Sequence, residues 1–247
     1  MYEGMLAETI SISGHNGDEI DAYLARPLGR GPYPGVIVIH HLPGWDEATK
    51  EITRKFAHHG YAAISPHLHH RAGPDATPDD AAAATRAQGG VPDAQLVGDV
   101  DAALRFLRAA PFSSGKVASI GYCSGGRQSF LAATTLSLDA AVVCYGAMIV
   151  GTASPQTPST MQPLIDRASD LRCPLLGLFG AEDQRPSPED VAQIDAELTR
   201  LGKPHEFHTY ANAGHGFFAT DRPSYRVDAA NDGWQRIWGF CDVHLHH

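Results

Sequence analysis

No lysine- and arginine-rich run interrupts the 247 residues, and the formal net charge is −9. A surface built for nucleic acid or for an anionic membrane is therefore not expected. Long apolar runs are missing too, and none of the short ones approaches the length that crosses a bilayer. Cysteine is sparse: Cys123, Cys144, Cys173 and Cys241 lie far apart with no CxxC pair. That spacing suggests neither a zinc site nor a disulfide framework, and a reduced, cytoplasmic setting is the expectation. The opening Met1-Tyr2-Glu3-Gly4-Met5 lacks a charged region followed by an apolar stretch, so no signal peptide is expected. Internal repeats and low-complexity tails are absent from the sequence. With 43% apolar and 19% charged residues, the composition is that of an ordinary globular chain. Its length suits one large α/β domain over 1–247, a monomer or small homo-oligomer acting on a small molecule.

The apolar pattern changes along the chain. Thr9-Ile10-Ser11-Ile12 and Ile20-Asp21-Ala22-Tyr23-Leu24-Ala25 alternate across Gly14-His15-Asn16-Gly17, which predicts an antiparallel hairpin at a sheet edge. Beyond it, Val36–Ile39, Ala62–Ile64, Val117–Ile120, Ala141–Cys144 and Leu175–Phe179 are nearly continuous apolar runs. Such runs fit strands buried on both faces of a parallel sheet. Between them lie helix-length segments: one capped by Asp46, one over Leu96–Leu107, one opened by Ser187-Pro188-Glu189 and a last one from Ser224. The alternation predicts a mostly parallel, doubly wound sheet with helices on both faces and an antiparallel N-terminal edge hairpin. Residues 71–90 read as loop plus short helix over the mouth of a site, and 151–170 as a lid or surface connection.

Gly121-Tyr122-Cys123-Ser124-Gly125-Gly126-Arg127 follows the β-branched run Lys116–Ile120 and precedes a helical segment from Gln128. Read as strand, tight turn and helix, it is a G-x-C-x-G nucleophile elbow with sulfur in the place of the more common serine oxygen. Glycine is needed there because backbones crowd at the turn. The positive end of the following helix favours thiolate over thiol at Cys123. A cysteine nucleophile also needs a base and a group to orient it. The run Leu175–Phe179 ends in Gly180-Ala181-Glu182-Asp183, a carboxylate at a strand end. Glu206-Phe207-His208-Thr209-Tyr210 leads into Ala213-Gly214-His215-Gly216, a loop histidine between glycines. Nucleophile, acid and histidine thus follow in the chain order of an acyl-transfer triad. The expected oxyanion donors are the backbone N–H groups of Ser124 and of Leu42, the latter in the turn His40-His41-Leu42-Pro43-Gly44.

These motifs, together with Gly60-Tyr61-Ala62-Ala63-Ile64-Ser65-Pro66 and Ser114-Gly115-Lys116-Val117, resemble the dienelactone hydrolase (carboxymethylenebutenolidase) family of the α/β-hydrolase fold. The resemblance covers most of the chain. It implies a carboxylic ester or lactone hydrolase with a Cys-Asp-His triad, matched by Cys123, Asp183 and His215, and no cofactor or metal. It also implies a substrate-binding arginine after Ser65-Pro66, matched to Arg71. Two positions depart from the family pattern. His41 stands where a glutamate assists the cysteine, and Ala219 stands where a second carboxylate-binding arginine belongs, with Arg222 offset.

Fourteen histidines are many for this length. His40-His41 and His67/His69/His70 follow strands expected to be neighbours and should converge at the site mouth. His41 is expected to bond the Cys123 region or the substrate. Metal binding is disfavoured, because adjacent histidines rarely chelate one ion. Two rivals stand beside the lactonase reading: a general short-chain carboxylesterase or thioesterase, and a non-catalytic relative that binds a ligand or senses redox state at Cys123.

Overall fold

The computed structural model describes residues 4–41, 44–73, 75–151 and 161–246. Eight strands form one sheet: β1 (Met5–Ser13), β2 (Glu19–Pro27), β3 (Tyr33–Ile39), β4 (Ala62–Pro66), β5 (Ser113–Tyr122), β6 (Ala140–Cys144), β7 (Leu175–Gly180) and β8 (His205–Tyr210). Their spatial order is β1-β2-β4-β3-β5-β6-β7-β8. The β1–β2 and β2–β4 pairs are antiparallel, and every later pair is parallel. The predicted edge hairpin and parallel body are both present.

The apolar runs are continuous because successive residues face opposite layers, and both layers are covered. Ile37 and Ile39 of β3 join Leu175 and Phe179 of β7 in one core, while Val36 and Val38 join Leu176 and Leu178 in the other. The first core is closed by α3 (Asp93–Ala109), α4 (Ser124–Thr135) and α5 (Pro188–Arg200), through Val100, Leu104, Phe130, Leu131 and Ile194. The second is closed by α1 (Glu47–His58) and α6 (Val227–Leu245), through Phe56, Ile237 and Phe240. Helix starts follow the chemistry of the sequence. The Asp46 carboxylate accepts from Thr49 N–H, and Ser187 with Asp190 forms a reciprocal capping box.

Two helix starts differ from expectation: that of α4, and that of α6, which begins at Val227 and not at Ser224. Helix α4 begins at Ser124, directly after Cys123, and not at Gln128, because the glycine pair forms its tightly packed first turn. Residues 71–90 hold α2 (Pro78–Ala87), started by Thr77, which accepts from Asp80 N–H. The segment expected as a lid over 151–170 is described only at Gly151 and from Met161 onward. Its described end packs on the body: Leu164 and Ala168 are buried in the first core, and Leu164 N–H donates to Ile149 O at 2.9 Å. The apolar residues inside this Pro- and Ser-bearing stretch have a core to enter, which the composition did not show.

One buried charge ties the hairpin to the body. Asp99 on α3 has no exposed surface, and its carboxylate accepts from His15 N–H at 2.8 Å and from both terminal nitrogens of Arg71 at 2.8 and 3.0 Å. Arg71 also reaches Asp18 at 2.7 Å. Removing one partner of a buried ion pair strands the other. Asp99→Ala is therefore expected to destabilise the fold by about 3 kcal/mol, read as a lower urea midpoint, with Arg71→Ala acting in the same direction.

Candidate active site

Parallel strands on either side of β5 bring three loops to one edge of the sheet. Cys123 sits at the tip of the β5–α4 turn with φ 57° and ψ −121°, outside the regions an L-residue prefers. Such a conformation costs on the order of 1–3 kcal/mol and persists only where its surroundings enforce it. Here they do. Cys123 N–H donates to Cys144 O at 3.1 Å, and Gly126 N–H closes back onto Cys123 O at 2.9 Å. A Cβ on Gly121 would fall on the carbonyl of Gly125, and one on Gly125 would fall on the carbonyl of Ile39. The thiol is half-buried, and Ser124 N–H lies in the first turn of α4, where no intrahelical acceptor exists.

Asp183 follows β7 and His215 follows β8. The Asp183 carboxylate is 2% exposed and accepts from Arg185 N–H at 2.8 Å through Oδ1. Its Oδ2 lies 2.9 Å from His215 Nδ1, and the imidazole is near enough to Cys123 to interact with it electrostatically. Burial alone would favour neutral imidazole, but the Asp183 hydrogen bond and the interactions with Asp183 and Cys123 outweigh it and hold His215 up at about 10. The three residues expected as a triad are thus brought into one chain of contacts.

The histidines divide into different roles. His40 is fully buried, with Nδ1 donating to His41 O at 2.9 Å and Nε2 accepting from Leu68 N–H at 3.2 Å, so one tautomer is fixed. Burial first, then neighbouring His69, keeps it neutral. His67 stacks on Trp45 at 4.7 Å and is pushed down to about 3 by burial and by His69, His70 and Lys50. His41 Nε2 meets Asp46 Oδ2 at 2.8 Å. Burial would raise Asp46, but His41 and Thr49 pull it down to about 2. His41 is therefore held by the cap of α1, although its ring still lines the site. His70 turns to Asp21 on β2 instead. No group of three His, Cys, Asp or Glu side chains suited to a metal ion occurs among the described residues.

Two clefts flank the elbow, and His40 and His41 line both. The smaller, about 360 Å³ counted to its open mouth, is lined by His69, Ser124, Gln128 and Arg86. The larger, about 690 Å³, lies between α1 and α6 and is walled by Tyr122, Tyr145, Phe218 and Trp234. Arg71 lines neither. Its guanidinium is spent on Asp99 and Asp18, so the expected substrate contact is not where this residue stands. Arg86 on α2 is exposed at the rim of the smaller cleft, and its side chain has no hydrogen-bond or ion-pair partner among the described residues. It was missed because both arginines lie in the 71–90 excursion. Only the position of Asp99, far along the chain, tells them apart. Leu42, the expected second oxyanion donor, lies outside the described residues.

A strand–nucleophile–helix elbow on this sheet order, with acid and histidine loops after later strands, defines an α/β-hydrolase. Residues 20–245 match the dienelactone hydrolase family, and the chain belongs to it. A relative in Methylorubrum extorquens, named "Putative carboxymethylenebutenolidase", is 35% identical over 243 residues, covering 95% of this chain and 80% of that protein. A Bradyrhizobium protein named "Probable 2-oxo-3-(5-oxofuran-2-ylidene)propanoate lactonase" is 29% identical, with 98% of each chain covered. The crystal structure of a Klebsiella pneumoniae protein titled "Putative Dienelactone Hydrolase" superposes with a TM-score of 0.84 at 33% identity, over 96% of this chain and 98% of that one. The protein is accordingly a hydrolase of this family. No helix among the described residues is long and apolar enough to cross a membrane.

An imidazolium beside the thiol attracts anionic reagents. At neutral pH, iodoacetate is expected to alkylate Cys123 several-fold faster, relative to iodoacetamide, than it does a free thiol. The preference should fade as pH rises through about 10 and His215 loses its proton. Asp183→Asn removes one of the groups that raise His215, so the fade should move to lower pH. Rates followed by mass spectrometry of the Cys123 peptide decide this.

Proposed function

We propose that this protein hydrolyses a small carboxylated ester or lactone through a Cys123–His215–Asp183 triad and a thioester intermediate. The observation that carries the reading is the contact chain from buried Asp183 through His215 to a thiol held at φ 57°. In the proposed reaction the Cys123 thiolate adds to the ester carbonyl. The oxyanion is held by Ser124 N–H, and Leu42 N–H is the second donor. As the tetrahedral intermediate collapses, the C–O bond breaks and His215 gives its proton to the leaving oxygen. Water then attacks the thioester, His215 takes a proton from it, and the acid and the thiol are released. Asp183 orients the imidazole throughout.

Arg86 is assigned the substrate carboxylate, in place of Arg71. Its guanidinium has no hydrogen-bond or ion-pair partner among the described residues, and it shares the smaller cleft with Ser124. A fork of donors matches a carboxylate, and the group is displayed beside the proposed oxyanion donor. The Bradyrhizobium relative's name describes a carboxylated, unsaturated lactone, which fits that pairing. A neutral-ester reading has one observation on its side. Ala219 lines the larger cleft, so the second cation of the family pattern is absent there.

Steady-state hydrolysis of cis-dienelactone and of p-nitrophenyl acetate separates the two readings. Cys123→Ala should lower turnover of both by at least about 10³-fold. Arg86→Ala should raise KM for the lactone about tenfold or more and leave the acetate nearly unchanged. Retention of most activity by Cys123→Ala would sink the triad. Preference for the acetate, indifferent to Arg86, would leave the esterase reading.

A further inference from the structure

The hydrolase reading gives the smaller cleft a carboxylate and an oxyanion, and leaves the larger one without a role. The leaving oxygen must lie within reach of His215, because that residue supplies its proton. Whatever is attached to that oxygen therefore extends past the neighbours of His215. Those neighbours belong to the larger cleft: the Tyr145 ring is 5.1 Å from the His215 ring, and Phe218 and Ala219 follow in the same loop. The walls are aromatic, with Phe218 against Trp234 at 5.5 Å and Tyr122 against Phe218 at 5.5 Å. Their chemistry selects against charge. Glu51 and Asp221 line the cleft and oppose an anion, and the one cation lining it, Lys55, is already seated over the Trp234 face at 4.0 Å. The buried Tyr122 hydroxyl has no hydrogen-bond partner among the described residues. A buried donor left unpaired is unfavourable, so a ligand acceptor there would be bound well.

Resting on the hydrolase reading above, we propose that the cleft between α1 and α6 is a leaving-group subsite for an apolar, aromatic-sized alcohol or enol. Ala219 is the residue that keeps it open. The substrate then straddles the elbow, with its acyl carboxylate at Arg86 and its departing group stacked among Tyr145, Phe218 and Trp234. On C–O cleavage, the proton from His215 releases this group as a neutral alcohol into an apolar channel.

The test uses half-esters of succinic acid with ethanol, benzyl alcohol and naphthylmethanol, alcohols of similar basicity. Wild type is compared with Ala219→Phe and Ile52→Trp, which fill the cleft from opposite walls, and Cys123→Ala serves as the blank. The benzyl ester is expected to exceed the ethyl ester in kcat/KM by about tenfold, and the ratio to fall toward one in both filled variants. Unaltered alkylation of Cys123 by iodoacetamide shows that the variants are folded. A wild-type ratio near one, or a high ratio that neither variant lowers, overturns the subsite while leaving the hydrolase reading intact. No hydrolysis above the Cys123→Ala blank overturns the subsite, and the dienelactone assay then decides the triad reading separately.

Discussion

The backbone geometry at Cys123 is the constraint on which the site depends. A thiol can project from the end of a central strand only if the chain reverses in the space of one residue, and that reversal needs φ 57° at a side chain that does not favour it. The cost is offset by main-chain contacts so close that Gly121 and Gly125 admit no Cβ. Helix α4 is thereby drawn against the carbonyl ends of β3 and β6, and its unpaired first N–H groups face the reaction centre. A glycine-to-alanine change at either position would push the helix off the sheet, and with it the proposed oxyanion donor.

The sheet order supplies the rest. With β5 flanked by β3 and β6, and with β7 and β8 following on the same side, the loops after β3, β5, β7 and β8 open at one edge. His40 and His41, Cys123, Asp183 and His215 come from those four loops. The hydrogen bond between Asp183 and His215 joins the loops after β7 and β8 beside Cys123. Buried Asp183 raises the proton affinity of His215, and His215 faces the thiol. The larger cleft is walled by aromatic rings, and Arg86 stands on the smaller one beside Ser124.

Much of this was legible from residue types alone. Strands buried on two faces announce themselves as unbroken apolar runs, and a glycine-flanked cysteine between a β-branched strand and a helix has few other uses. The strand-end positions of Asp183 and His215, which let the two side chains meet, were legible because each follows a strand-like run. Arg71 was not. Its position after β4 suited a substrate ligand, yet Asp99 from α3 takes its guanidinium, and no local signal links residues 28 positions apart. Arg86 was hidden for the complementary reason: an exposed arginine on a short alanine-rich helix looks solvated until the helix is seen at a cleft. His41 was expected to bond the Cys123 region or the substrate, and Asp46, five residues on, holds it.

By itself the sequence determined what local chemistry and periodicity can carry: the secondary elements, the elbow, the order of acid and base, and the family pattern. Those features depend on neighbours within a few residues, or on burial that composition already reports. Only the tertiary structure decided which charges are spent and which are free. Pairing between Arg71 and Asp99, the open guanidinium of Arg86 and the aromatic cleft at Ala219 all depend on side chains from distant segments meeting at one distance and angle. Pairwise electrostatics and packing act over a few ångströms, and chain order does not state which segments come that close.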